Sequence, residues 1–274
     1  MAEGMTETAA VPAAAPKASP HHHQQVLWVK HYTERLFSFG ITRPDSFRFR
    51  SGEFVMLGLP GGERPVLRAY SIASPWFAEE LEFFSIKVPD GPLTSRLQAI
   101  EPGDTVLLGR KPTGTLVLDA LKPGRRLFMI STGTGLAPFL SVARDPDAYE
   151  RFETMIVTHT VREPKELAYE TLFEHEIRDD PLVGEAAAKQ LTYYSTVTRS
   201  EHARTGRITD KIRSGEFFRD LGLPGAFDPA VDRVMVCGSM AMIRDVAALL
   251  EEAGLNEGSN HEPGEYVIER AFVG

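Results

Sequence analysis

Near residue 120 the chain changes rhythm, and that change limits its fold more than any other feature. From about 24 to 120, short branched or aromatic runs recur: Val26-Leu27-Trp28-Val29, Leu36-Phe37-Ser38-Phe39, Phe54-Val55-Met56-Leu57, 81–88 and Thr105-Val106-Leu107-Leu108. Turn residues separate them at Pro44, Gly52, Pro60-Gly61-Gly62, Pro89-Asp90-Gly91-Pro92 and Pro102-Gly103-Asp104. Pro fixes φ and Gly permits reversal, so each cluster ends a strand for a physical reason. Six or so strands at this spacing predict an antiparallel barrel or sandwich. After Lys122-Pro123-Gly124 strands alternate with helices. Segments 127–130, 155–157, 191–197 and 234–236 read as strands, and 137–144, 166–178 and 240–252 as helices. That alternation predicts a parallel sheet with helices on both faces. The expected architecture is two-domain: an antiparallel β-barrel over 23–120, then an α/β parallel-sheet domain over 121–274.

Composition narrows the function. Residues 1–22 are Ala/Pro/Thr-rich with little to bury and read as a disordered tail; His21-His22-His23 within it is assigned no role. The single cysteine, Cys237, permits no internal disulfide. Nor can it hold an iron–sulfur cluster, which takes about four thiolates. A lone Cys fits a reducing cytoplasm. No run approaches the ~18 apolar residues of a membrane helix, so no membrane insertion is expected. A pI near 5.6 argues against nucleic acid. The charge is uneven: residues 26–120 hold 11 Lys+Arg and 11 Asp+Glu, while 121–274 hold 18 and 25, so the acidity belongs to the second unit.

Three motifs carry chemistry. Arg68-Ala69-Tyr70-Ser71 puts a cation, an aromatic ring and a hydroxyl on an apolar strand, with Arg68 and Tyr70 on one face and Ser71 on the other. A π-surface beside a fixed positive charge suits an aromatic, phosphorylated ligand such as a flavin dinucleotide. An edge strand with one exposed Arg and one packed Tyr has the same sequence. Ser131-Thr132-Gly133-Thr134-Gly135-Leu136-Ala137-Pro138 lies between a buried strand and a helix. Its glycines allow close backbone approach to a phosphate, and the helix start supplies partial positive charge. Pro138 suits a first helical turn, although GxGxxP departs from the GxGxxG fingerprint. A tight structural turn is the alternative. The next strand ends Thr158-His159-Thr160-Val161-Arg162, without the acid that bonds the ribose in NAD sites. Arg162, Arg199 after Thr198, and Arg207 after Gly206 suit a 2′-phosphate, which favours NADP; solvated surface arginines are the plainer reading. Gly91-Pro92-Leu93-Thr94-Ser95 is a second phosphate candidate, or an ordinary N-cap.

Taken in order with Val236-Cys237-Gly238-Ser239 and the terminal Ala271-Phe272-Val273-Gly274, these motifs resemble the bacterial branch of the ferredoxin/flavodoxin–NADP⁺ reductase family. The likeness spans about 25–274. It implies FAD stacked on Tyr70, with Arg68 and Ala69 along its pyrophosphate and Ser71 near flavin N5. Phe84, Ser85, Ile86, Lys87 and Val88 would line the flavin with backbone groups. Gly91, Leu93, Thr94 and Ser95 would hold the FAD pyrophosphate. Thr132, Gly133, Thr134 and Gly135 would cradle the NADP pyrophosphate. Thr198, Arg199, Arg207 and Arg162 would serve its 2′-phosphate, and Cys237 and Gly238 the nicotinamide. Plant-type relatives end in an aromatic residue over the flavin, whereas Ala271 takes that position here, leaving Phe272 to cover the ring or the adenine. Glu269 is either a proton relay or a surface ion pair.

The resemblance implies an NADPH-dependent flavoenzyme that exchanges hydride between NADP(H) and FAD and single electrons between FAD and ferredoxin or flavodoxin. A monomer is expected. Arg43, Arg48, Arg50, Arg64, Arg110 and Lys111 are candidates for docking a small acidic carrier. The alternatives are a flavin reductase component of a multi-protein oxygenase system and a non-catalytic nucleotide-binding module.

Overall fold

A computed structural model describes residues 20–61, 65–88 and 91–270. The first unit is a six-stranded antiparallel sheet of β1 (His21–His31), β2 (Leu36–Thr42), β3 (Phe54–Gly58), β4 (Leu67–Ser71), β5 (Glu80–Ile86) and β6 (Thr105–Gly109), in the order β4-β3-β6-β1-β2-β5. Its edges, β4 and β5, meet at one bridge, Ile72 to Phe83. The sheet thus curls into a barrel closed at that bridge and open along a seam beside Tyr70. A single turn, α1 (Thr94–Leu97), lies between β5 and β6. Phe37, Phe39 and Phe83 stack through the barrel core at 5.9 and 5.4 Å.

β1 starts at His21 and pairs with β6 from His21↔Gly109 to Gln25↔Thr105. His21, His22 and His23, which composition placed in a tail, are therefore strand residues. β6 offers a free ladder edge there, and hydrogen bonding outweighs their low hydrophobicity.

The second unit is a parallel sheet of β7 (Arg126–Thr132), β8 (Thr154–Val161), β9 (Leu191–Val197), β10 (Asp232–Gly238) and β11 (Tyr266–Arg270), in the order β11-β10-β7-β8-β9. Helices α2 (Ala137–Ala143), α3 (Pro146–Arg151), α4 (Glu170–Glu174), α5 (Gly184–Gln190), α6 (Ile208–Arg213), α7 (Glu216–Asp220) and α8 (Met240–Glu252) accompany it. Alternate residues of β7 enter different cores: Leu127 and Met129 one, Phe128 and Ile130 the other. That is why its sequence is continuously apolar. α8 buries Met242, Ile243, Val246 and Leu250 on one stripe; Ser239 caps its start, and Gly254 at φ 85° follows its end.

The expected helix over 166–178 is broken. A 3₁₀ turn at Pro164–Glu166, α4 and a second 3₁₀ turn at Glu176–Asp179 replace it. Tertiary contact overrides propensity here: the Tyr169 ring packs between Tyr32 and Phe84 of the barrel, and its hydroxyl donates to Glu82 Oε1 at 2.9 Å.

Glu82 is the main polar link between the units. Its other oxygen takes Arg144 Nη2 at 2.9 Å, and the same nitrogen donates to the Ala73 carbonyl at 2.7 Å. Ser141 of α2 adds a bond to the Ser74 carbonyl at 2.7 Å. Around these lies one apolar cluster in which Leu36, Ala73 and Phe84 of the barrel pack with Leu136, Phe139 and Leu140. Glu82→Ala removes the acceptor of the Tyr169 hydroxyl and the counter-charge of Arg144, which keeps only carbonyl partners, and should cost about 2–4 kcal/mol of unfolding free energy. Urea unfolding checks this; an unchanged midpoint would mean that water replaces both bonds freely.

Candidate functional site

The seam of the barrel is built by strand alternation. Tyr70 lies opposite Val55 on β3, Arg68 opposite Leu57 and Ser71 opposite Phe54. Tyr70 is half-buried, edge-on to Phe83 at 6.3 Å, and its hydroxyl lies 3.3 Å from Ser85 Oγ on β5. Burial pushes the phenol up, against the pull of the nearby Arg68 charge. Arg68 and Ala69 are exposed. The Arg68 guanidinium touches only the Leu67 carbonyl, at 2.9 Å, and has no carboxylate partner among the described residues.

β5 ends at Ile86, so Lys87 and Val88 lie beyond it. The Phe84 side chain turns away from the seam into the contact between units, while Ser85 faces Tyr70. Below the seam, neither Thr94 nor Ser95 caps α1. Thr94 Oγ1 donates to the Val88 carbonyl at 3.0 Å, the Ser95 N–H donates to the Gly91 carbonyl, and Leu93 is buried.

In the second unit the sheet order reverses between β7 and β10, and at such a switch point an open α/β sheet leaves a crevice at its carboxyl ends. The glycine turn sits there as a 3₁₀ turn, Gly133–Leu136, running into α2 with Pro138 in its first turn. The two glycines differ in purpose. Gly133 takes φ 54°, and a Cβ on it would have no heavy atom within 4 Å, so the turn faces open space. Gly135 packs on β10, where a Cβ would lie 2.4 Å from the Cys237 carbonyl. Thr134 is buried beside them. Thr132 Oγ1 accepts the Ser239 N–H at 3.0 Å and leaves no room for a side chain at Gly238.

The loops after β8 and β9 run together. Thr198 N–H donates to the Val161 carbonyl, and Arg199 N–H to the Arg162 carbonyl, both at 3.0 Å. Arg162, Arg199 and Arg207 are exposed, and none has an ion-pair partner among the described residues. Arg204, which sequence reasoning passed over, stacks on Tyr194 at 4.5 Å and borders a polar hollow of about 530 Å³ with Thr205 and Lys211.

Cys237 and Glu269 are in register on β10 and β11. Cys237 is fully buried; burial, then the Glu269 charge, pushes its thiol well up. Glu269 reaches the barrel at Gly114, where a Cβ would lie 3.1 Å from its Oε1. Its Oε2 is shielded and has no hydrogen-bond partner among the described residues. Burial, reinforced by Glu53, raises this carboxyl to about 8. Ala271 and Phe272 lie outside the described residues. Of the docking arginines, Arg43 bonds the carbonyls of Phe47, Trp76 and Ala78, Arg48 those of Asp45 and Phe47, and Arg50 the Glu53 carboxylate. Arg43 and Arg48 serve the barrel's own loops, and Arg50 also reaches Asn260 Oδ1 of the second unit at 3.5 Å; Arg64 lies outside the described residues.

His159 is another residue without a motif. It is fully buried on β8, Nδ1 lies 3.0 Å from the Tyr193 hydroxyl, and burial lowers it to about 4. A neutral imidazole thus underlies the glycine turn at physiological pH.

A sequence profile described as an oxidoreductase FAD-binding domain matches residues 28–117, and one described as an oxidoreductase NAD-binding domain matches 129–248. A flavodoxin/ferredoxin–NADP reductase of Rhodobacter capsulatus is 53% identical over 271 residues, 98% of this chain and 99% of that protein. A ferredoxin–NADP reductase of Azotobacter vinelandii is 51% identical over 91% of this chain and 97% of its own length. A ferredoxin NADP⁺ reductase from Neisseria gonorrhoeae, solved with bound FAD and NADP, superposes with a TM-score of 0.84 at 30% identity, covering 93% of this chain and 100% of that one. Barrel seam and switch-point crevice together define a two-domain flavin- and pyridine-nucleotide-dependent oxidoreductase. Within that class, the chain belongs to the bacterial ferredoxin/flavodoxin–NADP⁺ reductase family.

The raised carboxyl has a sign that can be checked. Between about pH 4.5 and 8 the folded chain keeps a proton on Glu269 that the unfolded chain has lost, so this group lowers stability as pH rises through that window. Glu269→Gln should leave stability unchanged at pH 4 and raise it at pH 8 by on the order of 3 kcal/mol. Urea unfolding at the two pH values reads the difference; equal effects at both would show that the carboxyl is not held neutral.

Proposed function

We propose that this protein catalyses electron exchange between NADP(H) and ferredoxin or flavodoxin through a bound FAD. The carrying observation is that the two nucleotide sites share a wall. Glu269, at the carboxyl end of the parallel sheet, lies against Gly114 of the barrel, and Ile72, next to Ser71, is tied to the neighbouring Glu53 carbonyl at 3.0 Å. Names and identities of the relatives support the same activity.

The residues present fit both nucleotides. Tyr70 offers a ring whose edge is fixed by Phe83 and whose hydroxyl is anchored by Ser85. Arg68 stands beside it as an uncommitted cation for a diphosphate. Gly133 leaves open space in front of backbone N–H groups, as a dinucleotide diphosphate requires. Arg162, Arg199 and Arg207 await an anion, and no acid at the β8 tip competes for the 2′ position. Glu163, just beyond it, is engaged by the Ser200 hydroxyl.

A bound FAD would supply hydride acceptance and single-electron release, chemistry that no side chain of the protein offers. The chain's part is to orient and shield. Tyr70 and Ser85 hold the ring plane at the seam. Ser71, paired with Phe54 at the end of β4, lies one residue from the Ile72–Glu53 backbone bond of the wall between the sites. Gly135 and Gly238 let the crevice close down on the β10 backbone beside Cys237, whose buried thiol acts as a small spacer rather than a nucleophile. Glu269, kept as a neutral acid, supplies a proton-donating group where charge changes. The lone cysteine favours a reducing cytoplasm, and we take the active form to be a monomer that docks one acidic carrier at a time.

Tyr70→Ala should weaken FAD retention or alter its absorbance. A variant with unchanged spectrum and flavin content would remove Tyr70 from the ring site. Replacing Arg199 and Arg207 by Ala should raise KM for NADPH by about 10- to 150-fold, with little change for NADH. Steady-state kinetics with both nucleotides decide this, and equal losses would show that the arginines do not read the 2′-phosphate.

A further inference from the structure

Glu53 belongs to no motif, yet it occupies the wall between the two sites. It is buried at the entry to β3, and its carboxylate accepts from Arg50 three times: the backbone N–H at 3.0 Å, Nε at 3.1 Å and Nη2 at 2.9 Å. A Cβ on Gly114 would lie 3.3 Å from Glu53 Cα, as well as 3.1 and 3.3 Å from the two Glu269 oxygens. Gly114 thus separates the Glu53 backbone from the Glu269 carboxyl, which puts the two acids on either side of one glycine. Gly114 is itself fixed: Asn260 Nδ2 donates to its carbonyl at 2.8 Å, and it takes φ 148°, which side chains rarely adopt.

Two carboxyls flanking one glycine in a shielded wall do not ionise independently, and the available donors decide which one keeps a proton. Glu53 has three N–H donors and a guanidinium. Among the described residues Glu269 has only the Thr115 backbone N–H, and its shielded Oε2 has no partner there. The other groups around Glu269 do not reverse this assignment. Cys237 on β10 is a neutral thiol, Arg270 on β11 is exposed, and Asp119 stands behind Arg50 at 3.8 Å.

We propose that Glu53, held by Arg50, is a positioning residue of the reductase site: acting past Gly114, it keeps Glu269 protonated at neutral pH. This rests on the reading of Glu269 as the site's proton-bearing group. The arrangement separates two jobs. Glu53 holds a fixed negative charge that never touches the reacting atoms, and Glu269 remains an acid able to donate toward them.

The test is an infrared pH titration of the Glu269 carboxyl in the FAD-loaded protein, with its band identified by loss in Glu269→Gln. Glu53→Gln is isosteric and still accepts from Arg50, but it removes the charge; it should lower the Glu269 midpoint by about one pH unit or more. Glu53→Asp keeps the charge and should preserve most of the wild-type midpoint, which a packing role would not. Equal midpoints in wild type and Glu53→Gln, or equal shifts in both variants, would overturn the proposal. The pH profile of kcat with NADPH is recorded alongside. An infrared shift without a shift in that profile upholds the coupling and removes Glu269 from the proton chemistry instead.

Discussion

The hydrogen bonds that Glu82 accepts from Arg144 and Tyr169 determine what the rest of the molecule can do. They tie a barrel strand to two separate segments of the α/β unit, and the apolar cluster around them runs unbroken from one sheet to the other. With that contact in place, the open seam of the barrel and the crevice between β7 and β10 are held against each other. A flavin proposed at Tyr70 and a nicotinamide proposed at Cys237 would then meet without a large domain movement. Catalysis by orientation needs this fixed approach, because small displacements of the reacting atoms cost large factors in rate.

Electrostatics at the shared wall follow from the same packing. Burial is the main cause that keeps the Cys237 thiol and the His159 imidazole neutral, with the Glu269 charge adding to it at Cys237. Glu269 is raised by burial together with a fixed neighbouring carboxylate. Exposed positive charge without an ion-pair partner among the described residues gathers at Arg162 and Arg199, on loops joined by backbone hydrogen bonds. An acidic domain thus presents cations at the proposed 2′-phosphate site, where local field outweighs net charge.

Much of this was legible in the sequence, for reasons that particular residues show. Turn clusters such as Pro102-Gly103-Asp104 delimit the strands because their backbone geometry is local. The bounds of α8 follow from its apolar stripe, the Ser239 cap and Gly254, all within one short segment. Long-range demands stayed hidden. The break of the 166–178 helix comes from Tyr169 reaching across to Glu82, and β1 extends through three histidines because β6 lies beside them. Glu53 has no local signature at all, since its meaning depends on Gly114 and on Glu269 near the far end of the chain. Spacing alone did not show that the missing Cβ of Gly135 also makes room for the Cys237 carbonyl.

The central claim is that one site, shared by both units, passes hydride directly from NADPH to the flavin. Anaerobic stopped-flow mixing of the FAD-loaded protein with NADPH deuterated on either face of C4 tests it most directly. The structure predicts rapid loss of flavin absorbance, slowed several-fold by deuterium on one face and unaffected by deuterium on the other. Absence of bleaching, or bleaching insensitive to deuterium on both faces, would contradict it.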